Sequence, residues 1–224
     1  MGKSITLTAE DSHRLAGYRA EPAGKPRAGV VVIQEIFGVN QHIRKVTDGF
    51  AAEGYVSLAP AIFDRVQRDF EIGYAPSDVE TGRATRGKIQ LDDMVADVRS
   101  AVKALQAEGL KVGVVGYCLG GTLAWLAATR IDGVAAAVCY YGGGIAASAS
   151  ERPKCPVLIH WGETDASIPP DHWETVKKAH PTVPAHVYPA GHGFNCDERG
   201  SYHAESAKLA RQRTLDFFRE KIGS

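Results

Sequence analysis

The sequence predicts an α/β fold in which a mostly parallel central sheet carries helices on both faces, without a separate cap domain. Three observations point there. Short β-rich runs alternate with amphipathic helical patterns along the chain, the signature of a parallel sheet covered by helices. The run Gly29-Val-Val-Val-Ile-Gln34 is continuous and largely apolar, as expected of a strand buried on both faces. No internal repeat, low-complexity tract or Pro/Ser-rich linker divides the 224 residues, a length that one α/β domain reaches undivided. A single domain over residues 1–224 is therefore expected.

The elements follow in order. Ser4–Thr8 and Arg14–Ala20 alternate apolar and polar residues and read as an antiparallel edge hairpin. Strands are expected at Gly29–Gln34, Tyr55–Ala59, Val112–Gly116, Val134–Tyr140, Val157–Trp161 and Ala185–Tyr188. Helical periodicity is clearest over Leu91–Gln106, where Met94, Val95, Val98, Val102 and Leu105 share a face. Ser206–Ile222 repeats it with Leu215, Phe218 and Ile222. His42–Glu53, Gly120–Thr129 and Asp171–His180 are further helices. Residues 63–88 mix charge, glycine and proline without a clear period. So long a segment between strand and helix is usually functional, and it is read as a substrate-facing flap.

Composition narrows the function. Twenty-six basic residues balance 26 acidic ones, so no basic field argues for nucleic acid or an anionic membrane. The N-terminus lacks a signal-like apolar run, and the longest apolar stretches fall far short of the ~20 residues of a spanning helix. Cys118, Cys139, Cys155 and Cys196 are widely spaced. They form neither a C-x-x-C pair nor a Cys/His pattern typical of zinc. Reduced thiols in a cytoplasmic enzyme are expected, with a small-molecule partner, no metal and no organic cofactor. The chain is expected to be a monomer or a small homo-oligomer.

The most informative stretch is Val112-Gly-Val-Val-Gly-Tyr-Cys118-Leu-Gly-Gly-Thr-Leu. A buried strand runs straight into Gly-x-Cys-x-Gly-Gly and then into a helix, the form of a nucleophile elbow with cysteine in place of serine. Glycines let the backbone pass closely, and the central side chain projects at a helix N-terminus whose dipole favours a thiolate. The Leu119 N–H is placed to donate to a developing oxyanion. Taken alone, the same stretch would also suit a buried core cysteine.

An elbow of this kind predicts the chain order nucleophile, acid, base, with the later two in loops after strands. Pro156-Val-Leu-Ile-His-Trp-Gly-Glu-Thr-Asp165 supplies a strand and then an acid. Asp165 is preferred over Glu163 because it lies farther beyond the strand end. Val187-Tyr-Pro-Ala-Gly-His192 supplies the base, an imidazole able to take a thiol proton and return it to a leaving group. His160, at a strand end, is read as packing or hydrogen-bonding. His42 and His203 are read as lying on helix surfaces or their approaches. Three segments in the right order, each after a buried strand, make an α/β-hydrolase fold the expectation.

Gln34-Glu35-Ile36-Phe37-Gly38, Gly116-Tyr-Cys118-Leu-Gly-Gly, Gly162-Glu-Thr-Asp165 and Gly191-His192-Gly-Phe194 resemble the dienelactone hydrolase family, the carboxymethylenebutenolidases, and the likeness runs from about Gly29 to the last helix. It implies a Cys118, His192, Asp165 triad and an oxyanion hole from the Ile36 and Leu119 amides. It also implies that Glu35 contacts the cysteine and helps generate the thiolate. The family pattern has a carboxylate-binding arginine shortly after the histidine. Here Cys196 stands at that position and Arg199 follows three residues later. Arg83, in the flap, is the candidate second arginine. Phe37, Tyr117, Tyr141, Trp161 and Phe194 are candidate pocket residues or ordinary core. The implied activity is hydrolysis of an ester or lactone. A pocket without its anion clamp would suit neutral carboxylic or aryl esters and extend to phosphotriesters. A thiol redox sensor and a non-catalytic binding protein are the remaining alternatives.

Overall fold

The computed structural model describes residues 2–223. The strands are β1 (Lys3–Thr8), β2 (Arg14–Ala20), β3 (Ala28–Ile33), β4 (Tyr55–Pro60), β5 (Val112–Tyr117), β6 (Val134–Tyr140), β7 (Val157–Gly162) and β8 (Ala185–Tyr188). The apolar runs that predicted them explain their depth: β3, β4, β5 and β7 are buried at every residue. Among the described residues these strands form one sheet in the order β1-β2-β4-β3-β5-β6-β7-β8. β1 and β2 are antiparallel, as is the β2–β4 pair, whereas β4, β3, β5, β6, β7 and β8 run parallel. The sheet is the one an α/β hydrolase uses.

Register shows how the helices divide between the faces. In β3, Gly29 packs against Leu105 of α3 (Leu91–Gln106), and in β5, Gly113 packs against Phe218 of α6 (Ala204–Lys221). Gly29 pairs with Val112, the neighbour of Gly113. Successive residues point to opposite faces, so α3 and α6 lie on opposite sides. α1 (Gln41–Ala52) joins α6, with the Phe50 and Phe218 rings 6.1 Å apart. α4 (Leu119–Arg130) lies beside α3 and is buried along most of its length. Its small residues permit that depth. α5 is Pro170–Ala179.

Predicted boundaries differ from the observed ones mainly at helix starts. α6 begins at Ala204 because His203 caps it, its ring accepting from the Ser206 N–H at 3.3 Å. The larger difference lies in residues 63–88. These contain the end of a short 3₁₀ turn (Ile62–Arg65) and a helix, α2 (Pro76–Arg86), opened by proline. Only Gly82 and Thr85 of α2 are buried, so the segment shows no apolar period to read. No helix among the described residues is long and apolar enough to cross a membrane.

Candidate active site

β5 ends at Tyr117 and α4 starts at Leu119, leaving Cys118 alone in the turn. Its backbone has φ 55° and ψ −113°, a conformation costing a non-glycine residue roughly 1–3 kcal/mol. Backbone bonds hold it there. The Cys118 N–H donates to the Tyr140 carbonyl at 3.1 Å, and the Cys118 carbonyl accepts from Gly121 and Thr122 at 3.0 and 3.3 Å. The turn closes so tightly that a Cβ on Gly116 would lie 1.8 Å from the Gly120 oxygen. Leu119 is the first residue of α4, and the leading N–H groups of a helix have no partner within it.

The loops after β7 and β8 bring the acid and base candidates together. His192 Nδ1 lies 2.7 Å from Asp165 Oδ2. A carboxylate can only accept here, so Nδ1 carries the proton and Nε2 is left for chemistry. Asp165 is itself fixed by accepting the Ser167 N–H at 2.8 Å. It is 4% exposed, whereas Glu163 is exposed. Burial opposes charge on His192, but the neighbouring Cys118 sulfur and then Asp165 outweigh it and push its pKa up to about 10.

A cavity of about 270 Å³ opens over this turn. Cys118, Leu119 and His192 line it, with Ile36 and Phe37 from the loop after β3 and Val79, Arg83 and Arg86 from α2. Arg199 completes the wall, its guanidinium 5.5 Å from the Phe37 ring centre. α2 reaches the site because Gly82 rides on the Ile36 backbone; a Cβ there would lie 2.4 Å from the Ile36 oxygen. Arg86 and Val79 escaped the sequence reading. Val79, Arg83 and Arg86 are spaced i, i+4, i+7, one helical face, a signal available only once the segment is known to be helical.

Glu35 is expected beside the sulfur; here its Oε1 accepts from Arg199 Nη1 at 2.9 Å. Cys196 is fully buried and does not line the cavity, so Arg199 rather than residue 196 is presented to it. Burial and then Glu35 push the Cys196 thiol up to about 11. Tyr117, Tyr141, Trp161 and Phe194 are buried and do not line the cavity either. Tyr117 packs on Tyr140 at 4.7 Å and Trp161 on Trp173 at 6.1 Å. Tyr141 lies 5.1 Å from the His192 ring and 5.3 Å from Phe194, supporting the imidazole from the core. His160 is held by Tyr188 and Thr214 at 2.9 and 3.1 Å, so both its ring nitrogens are occupied. His42, read as a surface residue, is buried instead. As the second residue of α1 it turns inward, with Nδ1 3.1 Å from Asp197.

Fold and cavity together define an enzyme of the α/β-hydrolase class. Comparison with known proteins narrows it: the description "Dienelactone hydrolase family" matches residues 15–222, and the chain belongs to that family. A carboxymethylenebutenolidase of Pseudomonas putida is 32% identical, over 96% of this chain and 95% of the relative. A Synechocystis protein named "Putative carboxymethylenebutenolidase" is 36% identical over 93% of both chains. The crystal structure of a "Putative Dienelactone Hydrolase" from Klebsiella pneumoniae superposes with a TM-score of 0.83 at 31% identity, covering 97% of this chain and 98% of that one. The chain is a hydrolase of ester bonds.

Proposed function

We propose that the enzyme hydrolyses an ester or lactone bearing a carboxylate, by acyl transfer to Cys118. One observation carries the anionic substrate: Arg83, Arg86 and Arg199 share a single cavity with Cys118 and His192. Guanidinium groups pair with carboxylates through charge-assisted, often bidentate hydrogen bonds. Residues 63–88 thus act as a substrate-facing flap through one face of α2, while Ile36, Phe37 and Val79 receive the apolar part of the substrate.

In this reading the Cys118 thiolate attacks the acyl carbon, and the N–H groups of Ile36 and Leu119 hold the oxyanion. His192 gives its proton to the leaving enolate or alcohol as the C–O bond breaks. It then takes a proton from water, which attacks the thioester and releases Cys118. Asp165 keeps the imidazole oriented and supports its positive charge. Glu35 holds Arg199 in the cavity wall.

The test is a panel of a carboxylate-bearing dienelactone, a neutral p-nitrophenyl ester and a neutral phosphotriester, assayed with the wild type, Arg83→Ala and Arg86→Ala. A charged hydrogen bond contributes about 2 kcal/mol, so each variant should lose roughly 30-fold in kcat/KM on the anion alone. Preference for the neutral ester, with the arginine variants unaffected, would refute anion recognition. It would leave a general esterase. Preference for the phosphotriester would replace acyl transfer altogether.

A further inference from the structure

Behind the cavity wall, three buried side chains converge that acyl transfer does not use as a group. Glu35 comes from the loop after β3, His42 from α1, and Cys196 from the loop carrying His192. Each offers one ligand atom, and the three atoms lie within 4.8 Å of one another. Such a set has no signature in the sequence, because its members stand at positions 35, 42 and 196 and meet only in the fold.

The hydrogen bonding leaves this cluster short of donors. Among the described residues, Glu35 Oε2 and His42 Nε2 are buried without a hydrogen-bond partner, which native interiors seldom tolerate. The Asp197 carboxylate can only accept, so His42 Nδ1 holds the ring proton. His42 Nε2, on the other side of the ring, has no partner. The second oxygen of Glu35 is taken by Arg199, leaving Oε2 as an acceptor too. The Cys196 thiol has one proton for both of them.

We propose that Glu35, His42 and Cys196 form a binding site for one thiophilic divalent cation of the zinc class. Thiolate, imidazole nitrogen and carboxylate oxygen are the donors such ions take, and a calcium- or magnesium-type ion would want oxygen alone. The surroundings fit that use. A carboxylate on the far nitrogen, as Asp197 supplies, is the habitual outer partner of a ligating histidine. Arg199 plays the corresponding part for Glu35. Binding expels the Cys196 proton to solvent. The bound ion ties α1 and the β3 loop to the His192 loop, four residues beyond the base, and so acts as a clamp on the position of His192.

Cobalt(II) is the probe, because its thiolate charge-transfer absorption reports sulfur ligation directly. Cys118 beside His192 is the competing sulfur ligand, so the full chain is titrated as wild type, Cys118→Ser, Cys196→Ser and Asp197→Asn. The expected result is one equivalent of cobalt with a charge-transfer band in the wild type and Cys118→Ser, and no band in Cys196→Ser. Asp197 is largely exposed, and Asp197→Asn should fold normally yet bind roughly 10-fold more weakly. Zinc should displace the cobalt and raise Tm by roughly 5 °C at saturation. The proposal is overturned by no band with cobalt in excess, or by a band that depends on Cys118 and not on Cys196. Unchanged affinity in Asp197→Asn overturns it as well, and that arm holds even where Cys196→Ser fails to fold.

Discussion

Arg199 Nη1 donates to Glu35 Oε1 at 2.9 Å, joining residues 164 apart in sequence. The carboxylate side chain is 1% exposed and the guanidinium 18%, so the two partners are unequal. Arg199 can turn to water if its partner is neutralised; Glu35 cannot. Arg199→Ala strands a buried charge and should cost about 3 kcal/mol. Glu35→Gln should cost clearly less. Urea denaturation of the two variants checks the ordering, and equal losses would show that the pair is not asymmetric.

Gly116 gives the most local prediction. A methyl group there would sit 1.8 Å from the Gly120 oxygen, a backbone atom that cannot move aside without opening the elbow. Gly116→Ala should therefore destabilise by about 3 kcal/mol or more and lower activity in whatever fraction still folds. Denaturant midpoints and the near-ultraviolet circular dichroism of the purified variant report this.

Asp165→Asn probes the imidazole. The amide retains the shape but not the charge that supports a cationic His192, whose pKa burial opposes and Cys118 and Asp165 raise to about 10. kcat should fall roughly 10²- to 10⁴-fold with KM little changed. A proportional rise in KM with kcat preserved would make Asp165 a binding residue.

Much of this was legible in sequence wherever the signal is local. Val112 to Leu119 spells a strand, a turn and a helix start, and the structure puts Cys118 at that turn with positive φ. Asp165 follows the buried β7 and His192 the partly buried edge strand β8, and parallel strands bring their ends to one edge, so their meeting could be anticipated. α2 could not be read, because a helix with two buried residues carries no apolar period. With it went Arg86. His42 was misplaced for a different reason. On an isolated helix it looks like a surface residue, and only the distant Asp197 and Cys196 make its surroundings polar and closed.

Stability should also respond to pH through His160. Burial, followed by the charges of His186 and Arg213, holds its folded pKa well below 6.5. The unfolded chain takes up a proton as pH drops below about 6.5 and the folded chain does not, so this stability is present above that value and lost below it. Between pH 6.5 and 5 the loss approaches about 1.4 kcal/mol per pH unit. Urea midpoints over that range should fall less steeply in His160→Gln; identical slopes would remove His160 as the cause.

The proposed hydrolysis requires Cys118 to form the acyl intermediate. Rapid quenching of the enzyme with a slowly deacylated p-nitrophenyl ester, followed by peptide mass spectrometry, tests it directly. A Cys118 nucleophile gives a burst of one p-nitrophenol per chain and an acyl adduct on the peptide containing Cys118, both absent in Cys118→Ala. An adduct on another residue, or full turnover in Cys118→Ala, would contradict it.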